Sequence, residues 1–417
     1  MLPLRVIRSL DDLRLVANHC KQVLTLFSGG LDSTYVLKCL ADHTCQVTAL
    51  TVDLGDGVNR ADLAQIASRF GANLLVIDGR QAFAQDAVLP AIRANARYMG
   101  IYPISSSLSR PIIARYAIEI ARQLGCDAII HTANQSQNSL RRLNGAIWQL
   151  SYGGFFGSPY EYSAISREEK IAELSRIGLG RFQARGISGD ANLWCREFES
   201  GSLDNPEAFW VPESLFEWTA PRDRRGVSPD LSITFSGGVP VSIDGVHLSP
   251  VDLIARLNAL AGAYGIGRYS GLEHLEGGEK VLEVREAPAA AILMDAYRHL
   301  ETATLDAELL REKLGMEQLW VREAIEGRWF GRMRAAADCF IAETARHVGG
   351  TISYKLRDGA ADVCAIRADQ PRYLTDRDSW EKQVAQARGS RQLQIVAGAD
   401  LPSAQSARGK EGIYGNA

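Results

Sequence analysis

The sequence predicts an α/β protein in which a parallel sheet, covered by helices on both faces, precedes a mixed α+β domain and a polar C-terminal arm. Three patterns predict it. Between residues 23 and 131, short apolar runs alternate with segments of helical period, as in a parallel sheet with crossover helices. Beyond residue 230, runs of period two meet at Gly-Gly and Asp-Gly, which is hairpin chemistry. From Ala399 onward Gly, Ser, Ala, Gln and charge prevail, a composition with little core of its own. The predicted divisions are 1–175, 176–380 and 381–417.

Val23-Leu24-Thr25-Leu26-Phe27 reads as the first strand, ending at Ser28-Gly29-Gly30. Ser33 to about Ala41 follows as a helix with Val36, Leu37 and Leu40 on its apolar face. Val47–Val52 and Leu74–Ile77 are the second and third strands, with Ala61–Phe70 a helix between them. Pro111 suits a first helical residue, where its missing N–H costs nothing, and the helical period then runs to Gly125. Ala128-Ile129-Ile130 is a fourth strand, ending at His131. Sheets of this kind bind ligands at the carboxyl ends of their strands, where the polar loops 28–33 and 131–142 begin.

In the second half, Leu231, Ile233 and Phe235 alternate with polar residues, Gly237-Gly238 turns the chain, and Val239, Val241 and Ile243 continue the alternation to Asp244-Gly245. Ser249-Pro250-Val251-Asp252 opens a helix reaching about Gly262: a cap, a first-turn proline and an acid in order. Helical patterns dominate 289–346, and a second hairpin, Thr351–Ile366, turns at Asp358-Gly359.

The 417 residues carry a net charge of −3, which argues against a broad nucleic-acid footprint. No apolar run reaches the roughly 18 residues a membrane span needs, and Met1–Val16 is too charged for a signal peptide. Seven single cysteines without a C-x-x-C pair read as reduced thiols. The expectation is a soluble cytoplasmic protein with small-molecule partners, no nucleic acid and no membrane.

The sharpest motif is Phe27-Ser28-Gly29-Gly30-Leu31-Asp32-Ser33. Two glycines after a strand let the backbone approach an anion without a Cβ in the way. The helix that follows points its N-terminal amides and positive dipole end into the same space. Ser28 and Ser33 add hydroxyl donors. Asp32 would be repelled by bare phosphate, so it implies either Mg²⁺ or a structural hydrogen bond within the loop. A Walker loop would need a Gly-Lys-[Ser/Thr] ending, which is missing. The motif points to pyrophosphate binding.

That loop resembles the one in N-type ATP pyrophosphatases, whose nucleotide domain has the HUP fold of adenine nucleotide α-hydrolases. Within that class the chain is similar to the argininosuccinate synthase family. The segments that carry the likeness are Ser105-Ser106-Ser107-Leu108-Ser109-Arg110-Pro111, Ser188-Gly189-Asp190-Ala191-Asn192-Leu193, Tyr264-Gly265-Ile266-Gly267-Arg268, Glu286-Ala287-Pro288, Leu305-Asp306 and Glu326-Gly327-Arg328-Trp329-Phe330. The likeness runs from about 23 to 380, leaving some twenty residues ahead of the loop without an assigned use. It implies a nucleotide-binding domain over 1–175, a synthetase and multimerisation domain over 176–380, a homotetramer, and a C–N bond-forming ligase using ATP and Mg²⁺. In the family, the ureido oxygen of citrulline attacks the α-phosphate of Mg·ATP, and the amine of aspartate then displaces AMP.

By resemblance, Phe27, Ser28, Gly29, Gly30, Leu31, Asp32 and Ser33 would hold the pyrophosphate, with Ser28, Asp32 and Ser33 carrying the catalytic roles. Val52 matches a backbone contact to adenine, and His131 to Asn138 match the second ATP loop. Tyr102, Ser107, Asn138, Arg142, Ser188 and Glu273 match the citrulline pocket, Arg142 suiting a carboxylate and Glu273 an α-ammonium. The departures concern the substrates. The family's Gly-x-Thr-Gly-Lys-Gly-Asn-Asp-x-x-Arg loop reads Thr132-Ala133-Asn134-Gln135-Ser136-Gln137-Asn138-Ser139-Leu140-Arg141-Arg142 here. Asn134 and Ser139 stand where a threonine and an aspartate receive the aspartate substrate. Glu197 and Arg285 stand where a serine and a tyrosine help bind citrulline; they either pair with each other or read a different substrate group. The expectation is a ligase that adenylates a ureido or carboxyl oxygen of an amino-acid-like substrate for attack by an amine. A faithful argininosuccinate synthase, a tRNA-modifying enzyme and a non-catalytic ATP-binding relative are the competing readings.

Overall fold

The computed structural model describes residues 5–180, 182, 187–220 and 228–389, so the expected tail from Ala399 lies outside the described residues. The first half runs β1 (Val6–Ile7), α1 (Leu10–His19), β2 (Gln22–Leu26), α2 (Leu31–Ala41), β3 (Gln46–Asp53), α3 (Arg60–Arg69), β4 (Asn73–Asp78) and α4 (Arg80–Phe83). A π-helical turn (Ala84–Val88) leads to α5 (Leu89–Arg93) and the short pair β5 (Arg97–Tyr98) and β6 (Tyr102–Pro103). Then come α6 (Ser106–Leu124), β7 (Ala128–Ile130), α7 (Ser139–Gln149), β8 (Phe155–Gly157) and α8 (Arg167–Arg176). The sheet order is β1-β8-β7-β2-β3-β4, with every pairing parallel. Val23, Leu24, Thr25 and Ala128–Ile130 have no exposed surface, as strands covered on both faces require.

The residues ahead of the glycine turn extend this sheet. Ser9 caps α1: its Oγ accepts from the Asp12 amide, and the Asp12 carboxylate accepts from the Ser9 amide. β1 then adds a parallel edge strand beside β8.

Two expectations change. α6 begins at Ser106, five residues before the Pro111 expected to start it. A proline inside a helix removes one donor, a cost this helix offsets by tertiary contacts on its first turn. Asn192 Nδ2 donates to Ser105 Oγ, and Arg142 Nη1 donates to Ser106 Oγ. Residues 139–142, expected as loop, form the first turn of α7, because Leu140 and Leu143 pack against α6 in the core beneath the sheet. The stop at Gly125 is as expected, with φ +68°.

The second half contains β9 (Ser188–Ala191), β10 (Arg196–Glu199), β11 (Asp230–Ser236), β12 (Val239–Ile243), β13 (Val246–His247), α9 (Pro250–Gly262), β14 (Arg268–His274) and β15 (Lys280–Glu286). α10 (Pro288–Thr304), α11 (Ala307–Ile325), α12 (Arg332–Ala345), β16 (Gly350–Arg357), β17 (Ala360–Ala368) and α13 (Arg377–Gly389) complete it. One antiparallel sheet has the order β14-β15-β10-β9, the other β13-β12-β11-β16-β17. Gly237 and Gly238 have φ of +53° and +75°, the left-handed pair a tight hairpin needs. A register shift between Thr234 and Phe235 breaks the expected alternation of β12, so Pro240 and Ser242 are buried while Val239 and Val241 are half-buried.

The largest core is shared between the two halves: Phe83, Val88, Ile92, Tyr98 and Ile112 pack with Trp194, Tyr297 and Trp320. A buried ionic cluster fastens the same junction. Lys313, with no exposed surface, donates to the Arg93 carbonyl at 2.7 Å and lies 2.5 Å from both Glu301 and Glu317. Arg298 completes the cluster on those two carboxylates, at 2.9 and 2.6 Å. Lys313→Met leaves this buried cluster without its central cation and should cost about 3–5 kcal/mol, read as a lowered urea midpoint at unchanged slope. Adding Glu301→Gln and Glu317→Gln to that variant should recover most of the loss.

Candidate active site

The phosphate-type loop is held open by its own hydrogen bonds. Phe27 N–H donates to Leu50 O at 2.8 Å, and Thr51 Oγ1 donates to Phe27 O, so the end of β2 is pinned to β3. Gly29 turns the chain at φ +72°, and Gly30 is the N-cap residue of α2 with no side chain over the helix end. Ser33 Oγ donates to Gly30 O at 3.1 Å, and Ser28 Oγ lies 3.3 Å from Ser33 Oγ. Backbone amides, two hydroxyls and a helix dipole thus converge on one concavity. Asp32 has a side-chain partner outside the loop: Lys170 Nζ of α8 donates to its carboxylate at 2.7 Å. Tyr160 packs its ring 3.9 Å beneath Lys170 and donates its hydroxyl to Asp32 O. Among the described residues no group of three His, Cys, Asp or Glu side chains is placed to hold a metal. The described donors therefore do not fit a metal held by the protein alone.

This concavity opens into a cavity of about 850 Å³ between the carboxyl ends of β2, β3 and β7 and the sheet β14-β15-β10-β9. Phe27 to Ser33, Val52, His131, Asn138, Ser139, Arg142, Ser188 and Glu197 all line it. Tyr102, Ser107, Glu273 and Arg285 do not; each is 2% exposed or less. Asn134 also stays off the wall, its Oδ1 accepting from the amide and hydroxyl of Ser136 and so shaping the loop. His131 is held near the Asn144 carboxamide oxygen at 2.9 Å, and burial lowers its pKa to about 4, so it is neutral at physiological pH.

Below the wall lies a chain of buried ions. Arg142 Nε donates to Ile325 O, Nη1 to Ser106 Oγ and Nη2 to Glu273. Glu273 also accepts from Asn138 Nδ2 at 2.8 Å, Tyr102 Oη at 3.3 Å and Arg285 Nη2 at 3.2 Å. Arg285 bonds Glu197 and Glu283 and stacks 4.3 Å over the Tyr102 ring. The open question over Glu197 and Arg285 is answered: they pair, directly opposite each other across β10 and β15. Burial pushes the Glu273 carboxyl up, but Arg142 and Arg285 outweigh it and hold the group at about 2. Glu283 goes the other way, raised to about 8 by burial that Arg285 only partly offsets, with Glu273, Glu197 and Glu199 adding repulsion.

Several wall residues stand outside the site expected from the sequence. Arg110 donates to Ser139 Oγ at 3.0 Å and lies 2.8 Å from Asp190. Glu199 accepts from Gln137 Nε2 at 2.9 Å. Asp56 is raised to about 6 by burial, with Asp53 and Asp190 contributing. Arg110 sits inside the Ser-Leu-Ser-Arg-Pro segment, and Glu199 and Glu283 stand two residues from Glu197 and Arg285, the strand period that puts them on the same face. Lys170 has no motif to find it by.

A parallel sheet with a glycine turn opening at its carboxyl edge, roofed by an antiparallel sheet, defines an ATP pyrophosphatase-type (HUP) nucleotide domain joined to a second α+β domain. Family models agree: the argininosuccinate synthase N-terminal HUP domain matches residues 21–178 and the C-terminal domain of the same enzyme residues 187–394. The argininosuccinate synthase of Rubrobacter xylanophilus is 36% identical over 365 residues, 87% of this chain and 89% of that protein. That of Synechococcus sp. RCC307 is 37% identical over 364 residues, covering 86% and 90%, and that of Bacillus licheniformis 36% over 357 residues, covering 85% and 88%. The chain belongs to the argininosuccinate synthase family, and is accordingly an ATP-using, C–N bond-forming ligase.

Two predictions test the site. Lys170→Met leaves the Asp32 carboxylate unpaired in the turn and should raise the KM for ATP about fivefold, the effect of roughly 1 kcal/mol of repulsion at a partly solvated position. The second concerns Glu283, whose carboxyl takes up a proton on folding between its ordinary range and about 8. The folded state then binds more protons than the unfolded, so stability falls as pH rises through that window. Glu283→Gln should gain stability relative to the parent as pH is raised from about 5 to 8, measured by denaturant midpoints across the series.

Proposed function

We propose that this ligase adenylates an oxygen, ureido or carboxyl, of an amino-acid-like acceptor and passes the activated carbon to an amine, releasing AMP and pyrophosphate. The observation that carries the reading is the shared cavity: the Ser28–Ser33 turn and the charged sheet face open on the same space. Ser28, Gly29, Gly30 and Ser33, with the amides at the start of α2, receive the β- and γ-phosphates. Asp32, neutralised by Lys170, shapes that turn. Val52 meets adenine through its backbone, and His131 to Asn138 close over the α-phosphate side. Asn138, Ser139, Arg142, Ser188 and Glu197 face the acceptor from the wall, with Glu273, Arg285, Tyr102 and Ser107 setting its shape from behind. The divalent ion enters with the nucleotide as Mg·ATP. Positioning the oxygen in line with phosphorus and neutralising the departing pyrophosphate supply most of the rate, with little covalent help from the protein.

The acceptor and amine form a different pair from citrulline and aspartate. Supporting this, the Glu197–Arg285 pair fills with charge a place that takes a serine and a tyrosine in the family pattern, and Ser139 removes a carboxylate from the amine side. The second reading, argininosuccinate synthesis itself, is favoured by the 36–37% identity to enzymes of that name. Incubation with Mg·ATP, citrulline and aspartate separates them: argininosuccinate at a rate equal to that of AMP release establishes the second reading. A crossed screen of ureido and carboxylate acids against amines, read as AMP and pyrophosphate, identifies the pair under the first. ADP and orthophosphate as products would overturn both. Ser28→Ala should lower kcat/KM for ATP at least about tenfold, the scale of losing one charge-stabilising donor.

A further inference from the structure

Among the described residues, the acceptor wall is a sheet face with more acids than arginines. Glu197 stands opposite Arg285 on β15 and opposite Asp190 on β9. One strand period away, on the same face, come Glu199 and Glu283. Asp190, Glu197, Glu199 and Glu283 all line the cavity, while Arg285 lies beneath them at 1% exposure.

The arginines nearby have their donors engaged by the protein. Arg142 uses all three nitrogens on Ile325 O, Ser106 Oγ and Glu273. Both terminal nitrogens of Arg285 are held by Glu197, the Pro103 carbonyl, Glu273 and Glu283. Arg110 is spread over Ser139 Oγ, Ser109 Oγ and Asp190. Each of these guanidinium groups is thus committed to acceptors of the protein itself. Among the described residues of this face, five acidic side chains, Glu273 included, meet three arginines. Burial raises the carboxyls of Glu197, Glu199 and Glu283, as expected where buried acids lack enough cations. The replaced positions point the same way: where the family pattern has a neutral serine and tyrosine, this chain has a Glu–Arg pair whose arginine is buried and whose glutamate reaches the cavity.

We propose that the acceptor is recognised by a cationic group, an ammonium or amidinium, received by Glu199 and Glu283 beside Glu197, and that these acids disfavour a carboxylate on the acceptor. This rests on the ligase reading above for the identity of the cavity. The incoming cation completes the charge of a wall the protein leaves short, so its contribution is that of a desolvated, charge-assisted hydrogen bond.

Three ureido probes separate the charges: citrulline, 4-ureidobutan-1-amine, which keeps the ammonium and lacks the carboxylate, and Nα-acetylcitrulline, which keeps the carboxylate and lacks the ammonium. Their affinities are measured by calorimetry on the full chain with Mg²⁺ and α,β-methylene ATP. The amine should bind at least about tenfold more tightly than citrulline, and the acetylated probe at least about tenfold more weakly, the scale of one charged hydrogen bond. Glu283→Gln and, separately, Glu199→Gln should shrink the preference for the amine to within about twofold while ATP affinity stays within about twofold, a selective loss that a merely structural role would not produce. Citrulline binding better than the amine, or no binding by either, overturns the proposal, as does a preference unchanged in both variants. AMP release from ATP with hydroxylamine as the attacking amine reports on the ligase reading independently. Turnover with a carboxylate preference sinks the cation proposal alone, and charge-following affinity without AMP formation sinks the ligase reading alone.

Discussion

Glu273 is a single carboxylate shared by Arg142 of α7, Arg285 of β15, Asn138 at the end of the second loop and Tyr102 of β6. At 1% exposure it is cut off from bulk solvent, so its ionised state rests on these partners. That requirement fixes the second loop against the antiparallel sheet and the sheet against the first half of the chain. The floor of the cavity is thus a consequence of charge satisfaction, and the apolar core behind it, shared from Phe83 to Trp320, keeps the two halves from separating.

The nucleotide side is built on a different principle. There the chain exposes backbone amides at the end of β2 and the start of α2, and the only acidic side chain in the turn is quenched by Lys170. One side of the cavity therefore offers fixed dipoles beside a paired acid, and the other a cluster of buried acids. A molecule spanning the two sides meets opposite electrostatic demands at its ends, which orients it before any chemistry occurs. The neutral state of His131 is consistent with that division, since a buried imidazolium beside Arg110 would add cost without a partner.

Much of this was legible without coordinates. The strands around residues 23, 47, 74 and 128 were readable because each is an apolar run bounded by turn residues, and the hairpin at Gly237-Gly238 because only glycine accepts two successive left-handed positions cheaply. The start of α6 was misread because Pro111 is a strong local signal, overridden by Arg142 and Asn192 bonding the preceding serines from distant parts of the chain. β14 and β15 carry charge on the face toward the cavity, at Glu273, Glu283 and Arg285, and apolar Leu282 and Val284 on the other, an alternation too short and too charged to stand out from the sequence.

By itself the sequence determined the phosphate-type turn, the alternation that makes a parallel sheet, and membership of a family, since all three rest on local backbone chemistry or on ordered motifs along the chain. Only the tertiary structure decided which charges meet. Glu197 and Arg285 become neighbours through strand register, Lys170 reaches Asp32 across 138 residues, and the N-terminal strand finds a sheet edge beside β8. The physical reason is the same in each case: a pairing energy depends on distance and dielectric, and neither exists until the chain has folded around the pair.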